Sequence, residues 1–242
     1  MKRRWTIGLV AGSAVVASLA MWAGLFDGRD GVASAIPPGI RPSNFVAHVT
    51  NPFFPLVPGS VFVYRGIKDG QTQIDRVRVT QRTKVIEDVT TTAVHDVATH
   101  AGDVLEATTD WYAQDKRGNV WYFGEATKAY ENGRVDTEGS WLAGRDGATP
   151  GIVMQADPRV SKGYRQELYR GHAEDMAWVV ARGGHVRVPY GRVRHALFTL
   201  EFSPLEPNVI DRKVYGRGIG IVRETSASGP RETAQLVRVI RP

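Results

Sequence analysis

From residue 60 onward the chain runs in short stretches of alternating apolar and polar side chains, separated by turn-forming pairs. A period of two sends successive side chains to opposite faces of a strand, so the pattern predicts antiparallel hairpins. Strands are expected at 60–68, 71–81, 84–99, 103–115, 119–131 and 134–142, with Asp69-Gly70, Gly102-Asp103, Lys116-Arg117-Gly118 and Asn132-Gly133 among the turns. That is a six-strand meander. Further strands are expected at 160–169, 185–189, 192–203, 209–216, 218–226 and 231–240. The stretch 144–158 is rich in Gly, Pro and Asp and reads as a long loop. One short helix is predicted over 173–182: Met176, Val179 and Val180 recur at helical spacing, Glu174 and Asp175 suit a helix start, and Gly183-Gly184 would end it. The fold class is therefore mainly β, and the lack of a fixed repeat argues against a propeller or solenoid.

Upstream, 36–59 carries Pro37, Pro38, Pro42, Pro52, Pro55 and Pro58, which exclude a helix and predict an extended strap pinned by Phe53, Phe54 and Leu56. Before it, Lys2, Arg3 and Arg4 precede an uncharged run from Trp5 to Phe26, and Ala33-Ser34-Ala35 offers a cleavage site before Ile36. This is the order of a secretory signal. The 22 uncharged residues, at about 1.5 Å each, would also cross a hydrocarbon core of roughly 30 Å, so an uncleaved anchor is the alternative. The basic start keeps the N-terminus in the cytoplasm under either reading and puts the rest outside. The expected organisation is 1–35 signal peptide or N-terminal membrane anchor, 36–59 strap, and 60–242 a single β-rich domain, extracellular or in the cell envelope.

The 242 residues include no cysteine, which excludes disulfides, thiolate catalysis and lipid attachment through cysteine. Lys+Arg 31 against Asp+Glu 25 gives +6, spread along the chain without a block of like charge. Such a distribution favours solubility and gives no nucleic-acid footprint. There is no Gly-x-Ser-x-Gly elbow, no phosphate-cradling Gly-x-x-x-x-Gly-Lys and no His-Glu-x-x-His, and no cofactor is implied.

The most informative stretch is Asp110-Trp111-Tyr112-Ala113-Gln114-Asp115, a turn, then Asn119-Val120-Trp121-Tyr122-Phe123-Gly124-Glu125. With 116–118 as a three-residue loop and Gly118 at positive φ, Asp115 faces Asn119 and later pairs sum to 234. One face then sets Trp111 against Phe123 and Ala113 against Trp121 as a buried surface. The other sets Tyr112 against Tyr122, Asp110 against Gly124 and Glu106 against Lys128. The next hairpin puts Glu131 opposite Arg134 and Trp141 opposite Gly124. Asp110, Tyr112, Tyr122 and Trp141 thus gather as candidate ligand-binding residues, with Gln114 nearby and Gly124 leaving room at their centre. Flat apolar bodies with polar tips suit an amphipathic or sugar-like ligand; the alternative is that protein covers both faces. The turn from Asp115 to Trp121 is similar to the aspartate-box hairpin of sialidase-type propellers, in a single copy.

Asn51-Pro52-Phe53-Phe54-Pro55-Leu56 with Pro58-Gly59, the aromatic pair above, Glu138-Gly139-Ser140-Trp141 and Gly151-Ile152-Val153-Met154 together resemble a family of exported bacterial proteins, frequent in actinobacteria, with no assigned activity. The resemblance covers nearly all of the chain after the signal. The ending Tyr215-Gly216-Arg217-Gly218-Ile219-Gly220-Ile221-Val222-Arg223 is similar to that of several secreted and lipoprotein β-families, some with a strongly curved sheet around a helix. What the resemblance implies is a large curved antiparallel sheet, a half-barrel or open barrel, with the short helix packed on it. It supplies no catalytic residues, and the anchoring cysteine of many relatives is absent.

Other chemistry is sparse. His95 and His100 fall on opposite faces of one strand. His185 and His195 flank Pro189-Tyr190-Gly191 and face each other across a three-residue loop, whereas a two-residue loop pairs Val188 with Val193 and separates them. Asp110, Asp157, Glu174 and Asp175 are the acids available to an envelope glycan or lipid hydrolase. Against this, Glu174 and Asp175 serve as helix-start acids and Asp157-Pro158 as a turn. The reading is an extracytoplasmic, non-enzymatic β-protein that binds or shields a small amphipathic molecule or an envelope component. It touches membrane only through residues 5–26 if these are retained; the alternatives are the hydrolase and a purely structural surface module.

Overall fold

The computed structural model describes residues 40–242 apart from Asp69 and Asn132. The predicted signal or anchor and the start of the strap lie outside the described residues. A 3-10 turn at Pro42–Asn44 leads into β1 (Phe45–Val46), β2 (Val61–Lys68), β3 (Gln71–Ile86), β4 (Val89–His100), β5 (Asp103–Asp115) and β6 (Val120–Glu131). The short strands β7 (Arg134–Asp136), β8 (Trp141–Leu142), β9 (Thr149–Met154), β10 (Gly163–Arg165) and β11 (Glu167–Leu168) follow. The chain finishes with β12 (Met176–Val188), β13 (Gly191–Phe202), β14 (Ile210–Gly216), β15 (Gly220–Ser228) and β16 (Thr233–Ile240).

All strands join one antiparallel sheet in the order β10-β12-β13-β14-β15-β16-β2-β3-β4-β5-β6-β9-β11, with β1 on β5 and β7 and β8 on β6. The two ends of that order, β10 and β11, are separated in sequence by Gln166 alone. The segment 163–168 therefore reaches from one edge of the sheet to the other, and the curved sheet closes nearly into a barrel. Gly151 permits this seam, because a Cβ there would stand 2.3 Å from the Gln166 carbonyl carbon.

Each long strand turns one set of alternate residues inward. Tyr64 faces Asp75, Asp75 faces Ala98, Asp96 faces Thr108 and Thr108 faces Thr127, so the inner surface passes continuously across β2 to β6. Strap residues Phe53, Phe54 and Leu56 are buried with this core. The strap is held by backbone N–H groups of Thr50 and Asn51 donating to Gln114 Oε1, both at 2.8 Å. The Asn51 side-chain amide donates to the carbonyls of Gly118 and Gln155.

Four expectations need correction. The helix over 173–182 is instead the start of β12, with Ala177 and Val179 buried and Trp178 and Val180 exposed. Met176, Val179 and Val180 fit either period, and pairing with β10 and β13 decides for the strand. Gly183 and Gly184 do not terminate it. Gly183, at φ 83, sits where the register shifts, and Gly184 leaves space for the Phe198 ring, which would lie 2.6 Å from a Cβ. The loop 144–158 contains β9, whose Pro150 and Gly151 look loop-like but serve the seam. The β3–β4 turn is Glu87–Asp88, with φ 48 and 61, rather than 82–83, where a bulge lies between Val79 and Thr83. Finally, the turn near the histidines is Pro189–Tyr190, with Val188 opposite Gly191 and Val186 opposite Val193.

Candidate functional site

The β5–β6 hairpin is built from its turn. Asp115 Oδ1 accepts from the backbone N–H of Arg117 and Asn119, and Oδ2 accepts from Asn119 Nδ2 and Trp121 Nε1 at 2.8 and 3.0 Å. One carboxylate thus fixes the loop and the first aromatic. From there Gln114 faces Val120, Ala113 faces Trp121 and Tyr112 faces Tyr122. Beyond Tyr112 the register slips by one: Asp110 faces Glu125, and Glu106 faces Ala129 rather than Lys128. Trp111 therefore lies opposite a bulge formed by Phe123 and Gly124.

Gly124, at φ 127, is the reason. A Cβ there would be 2.3 Å from the Trp141 carbonyl oxygen and 2.9 Å from Leu142 Cα. The space expected to admit a ligand is taken by the backbone of β8, and Trp141 pairs with Glu125 while Leu142 pairs with Gly124. The bulge also sets Tyr122 and Glu125, three apart in sequence, on the same inner face.

The structure brings the four predicted site residues together. Tyr112 and Tyr122 stack at 4.9 Å between centroids, Trp141 meets Tyr122 edge-on at 5.3 Å, and Phe54 meets Tyr112 at 5.3 Å. The Tyr122 hydroxyl donates to Asp110 Oδ1 at 2.8 Å. Asp110, Tyr112 and Tyr122 are 0% exposed and Trp141 is 4% exposed, so the quartet lies inside the barrel and not on an open face.

The interior around them is acidic. Among the described residues ten Asp and Glu are buried, but only Lys68 and Lys213 among the cations. Burial, opposed by the Tyr122 hydrogen bond and reinforced by Glu106 and Asp75, pushes the Asp110 carboxyl up to about 7. Burial and then Asp110 raise Glu125, while burial, Asp175 and Glu125 raise Glu167 against the pull of the Trp141 indole. Asp175 is pushed up to about 8 by burial, with Lys213 opposing. Burial thus shifts these carboxyls toward their neutral forms, because it penalises the charged form. On the opposite wall Glu201 accepts from Lys213 Nζ at 2.9 Å, and from the Thr199 and Tyr215 hydroxyls, both at 2.8 Å. Among the described residues no three acids or histidines converge closely enough to hold a metal ion.

The other predicted acids are dispersed. Asp157 is exposed and paired with Arg159 and Arg182, both at 3.0 Å, and those partners hold its carboxyl below the ordinary range. Glu174 accepts from the Gly171 N–H in a turn, and Asp175 precedes β12; neither caps a helix.

Next to the quartet lies an open cavity of about 280 Å³, lined by Lys84, Trp111, Glu125, Ala126, Ser140, Trp141, Leu142, Arg145, Asp146 and Tyr169. Trp141 and Glu125 link it to the interior. The Lys84 ammonium sits 4.0 Å from the centroid of the Trp111 ring. Sequence reasoning missed Lys84, Glu125, Arg145 and Tyr169, because a one-residue slip at Gly124 and a turn packed on a distant hairpin bring them together. A visible signal was the density of Gly around 144–147, which allows such a turn.

No protein-family model matches the chain, and no curated protein sequence does. Solved structures with similarity include a candidate exported protein with a YmcC-like fold from Bacteroides fragilis, at 15% identity and TM-score 0.43, covering 78% of this chain and 99% of that one. A candidate lipoprotein from Parabacteroides distasonis is similar at 12% identity and TM-score 0.43, covering 78% of this chain and 98% of that one. At that score neither bears on what this chain binds or does.

Proposed function

We propose that this chain is an extracytoplasmic, non-enzymatic β-protein that binds a small amphipathic molecule or part of an envelope component in the cavity beside Trp141. The observation that carries the reading is the cavity itself: about 280 Å³, open, with Trp111, Trp141 and Tyr169 in its wall and charged groups among them. Small-molecule sites combine an apolar wall with a few placed polar groups. In this reading Trp141 lines the cavity, while Asp110, Tyr112 and Tyr122 brace it from within. The N-terminal segment expected to be a signal peptide or membrane anchor supports a site outside the cytoplasm.

A purely structural module is the second reading, favoured by the complete burial of Asp110, Tyr112 and Tyr122. Native mass spectrometry of the exported protein separates the two. Ala126 is exposed and lines the cavity, so Ala126→Phe fills it while leaving the interior alone. The expected result is a small-molecule adduct on the wild type that is lost from Ala126→Phe. An adduct that survives the substitution moves the ligand elsewhere, and a wild type without adduct favours the structural module.

A further inference from the structure

We infer that the cavity selects a single-ring ligand carrying an anionic group, such as a sugar with a carboxylate or phosphate, through Lys84 and Arg145. This rests on the reading that the cavity is the ligand site.

Two cations line one small depression, although 61 positions separate them in sequence (145 minus 84). Lys84 is near the end of β3. Arg145 is in a compact turn in which Gly144 N–H donates to the Ala148 carbonyl, Arg145 N–H to that of Leu142 and Ala148 N–H to that of Arg145, at 2.9, 3.1 and 2.8 Å. The turn lies against the β3–β4 hairpin at Gly144, whose φ of 79 favours glycine and whose α-carbon faces the Glu87 side chain, with the carboxylate oxygen 2.7 Å from where a Cβ would stand. Position 144 thus sets Arg145 beside Lys84.

Among the described residues neither cation has a carboxylate within ion-pair distance. Lys84 is held over Trp111 instead, and partial burial, then the charge of Arg145, lower the pKa of its ammonium. Two like charges held together with neither in an ion pair attract an anion, and charge-assisted hydrogen bonds are among the stronger polar contacts. Two acids share the lining: burial raises Glu125 and disfavours its charged form, and Asp146 is exposed to solvent, while Lys84 and Arg145 both face the same depression.

The rest of the wall defines the body of the ligand. Glu125 Oε2 accepts from Thr127 Oγ1 at 2.7 Å, whereas Oε1 has no hydrogen-bond partner although the residue is 4% exposed. A carboxyl oxygen without a partner suits a ligand hydroxyl. Trp111, Trp141 and Tyr169 supply flat apolar wall for ring C–H groups. A volume of about 280 Å³ lies at the lower end of small-molecule sites, which run to roughly 1,000 Å³, so one ring fits better than a glycan chain or a lipid tail.

Tryptophan-fluorescence titration of the exported protein with glucuronate, glucose 6-phosphate, glucose and inorganic phosphate tests this. The two acidic sugars should bind about tenfold or more tighter than glucose, as loss of one charge-assisted contact implies. Inorganic phosphate should bind more weakly than glucose 6-phosphate. Lys84→Gln and Arg145→Gln, both away from the buried core, should each weaken acidic-sugar binding several-fold more than they weaken glucose binding. Equal binding of acidic and neutral sugars, or insensitivity to both variants, overturns the anion inference while the cavity remains a binding site. Inorganic phosphate matching the phosphosugar overturns ring recognition. If none of the four probes binds but an adduct is still lost in Ala126→Phe, the ligand class is wrong; with no adduct either, the underlying reading fails too.

Discussion

Asp110→Asn should make the protein more stable at pH 8 and flatten its response to pH. In the folded state the Asp110 carboxyl titrates at about 7, against 3.8 in the unfolded chain. Between those values the folded protein keeps a proton that the unfolded chain has lost, so stability is greatest at acid pH and falls as pH rises toward 7. One such proton is worth about 1.4 kcal/mol per pH unit, and a window of about three units gives a loss of about 4 kcal/mol from this group. Asp175, at about 8, extends the decline upward. Asparagine keeps an oxygen to accept the Tyr122 hydroxyl and carries no charge to bury. The variant should therefore lie within about 1 kcal/mol of wild type at pH 4.5 and above it at pH 8 by a few kcal/mol. Guanidinium unfolding followed by tryptophan fluorescence, repeated from pH 4.5 to 8.5, measures both curves. Wild-type stability that is flat or rises from pH 5 to 7, or a variant curve parallel to it, would refute the buried, protonated interior.

Other outcomes follow from single contacts. Gly124→Ala drives a Cβ into the β8 carbonyl at 2.3 Å from a backbone with φ 127, and should lose about 3 kcal/mol or more; a thermal shift showing less than about 1 kcal/mol would mean β8 moves aside freely. Asp115→Ala removes the acceptor of four donors and should cost about 2–4 kcal/mol in denaturant unfolding, with Asp115→Asn costing less because it keeps one acceptor oxygen; equal losses would show that a single neutral oxygen does not hold the turn. The intact mass of the exported protein should begin at Ile36, and recovery of residues 5–26 in a membrane fraction would favour the anchor.

Most strands could be read from alternation, since a sheet with one inward face repeats every second residue whatever its partners are. The β5–β6 register was legible as far as Tyr112 and Tyr122, because Gly118 and Asp115 set it locally. The slip beyond was not, since it answers to β8, which begins seventeen residues after Gly124 (141 minus 124) and is invisible to a hairpin rule. The quartet still converged, because the bulge returns Glu125, and with it Trp141, to the face of Tyr122. The strand start read as a helix shows the opposite case: Met176, Val179 and Val180 satisfy both periods, and only β10 and β13 choose between them. For Lys84 and Arg145 the glycines around 144–147 signalled a turn but not its partner, because their meeting depends on that turn lying against the β3–β4 hairpin at Glu87.

The segment 163–168 bears on how the protein breathes. On one side Gly163, Tyr164 and Arg165 pair with β12, and on the other only Glu167 and Leu168 pair with β9. Every other junction along the sheet order is zipped over a longer ladder, except β15 with β16 and β6 with β9, each carried by three pairs. Short ladders open at lower free energy than long ones, so amide exchange in 163–168 should outrun that of β4 and β5. Glu167 lies on this shortest ladder and Gln166 directly beside it, both fully buried. Brief opening there would let water reach the acidic interior without unfolding the meanders on either side, and would set the rate at which those carboxyls exchange protons with the surroundings.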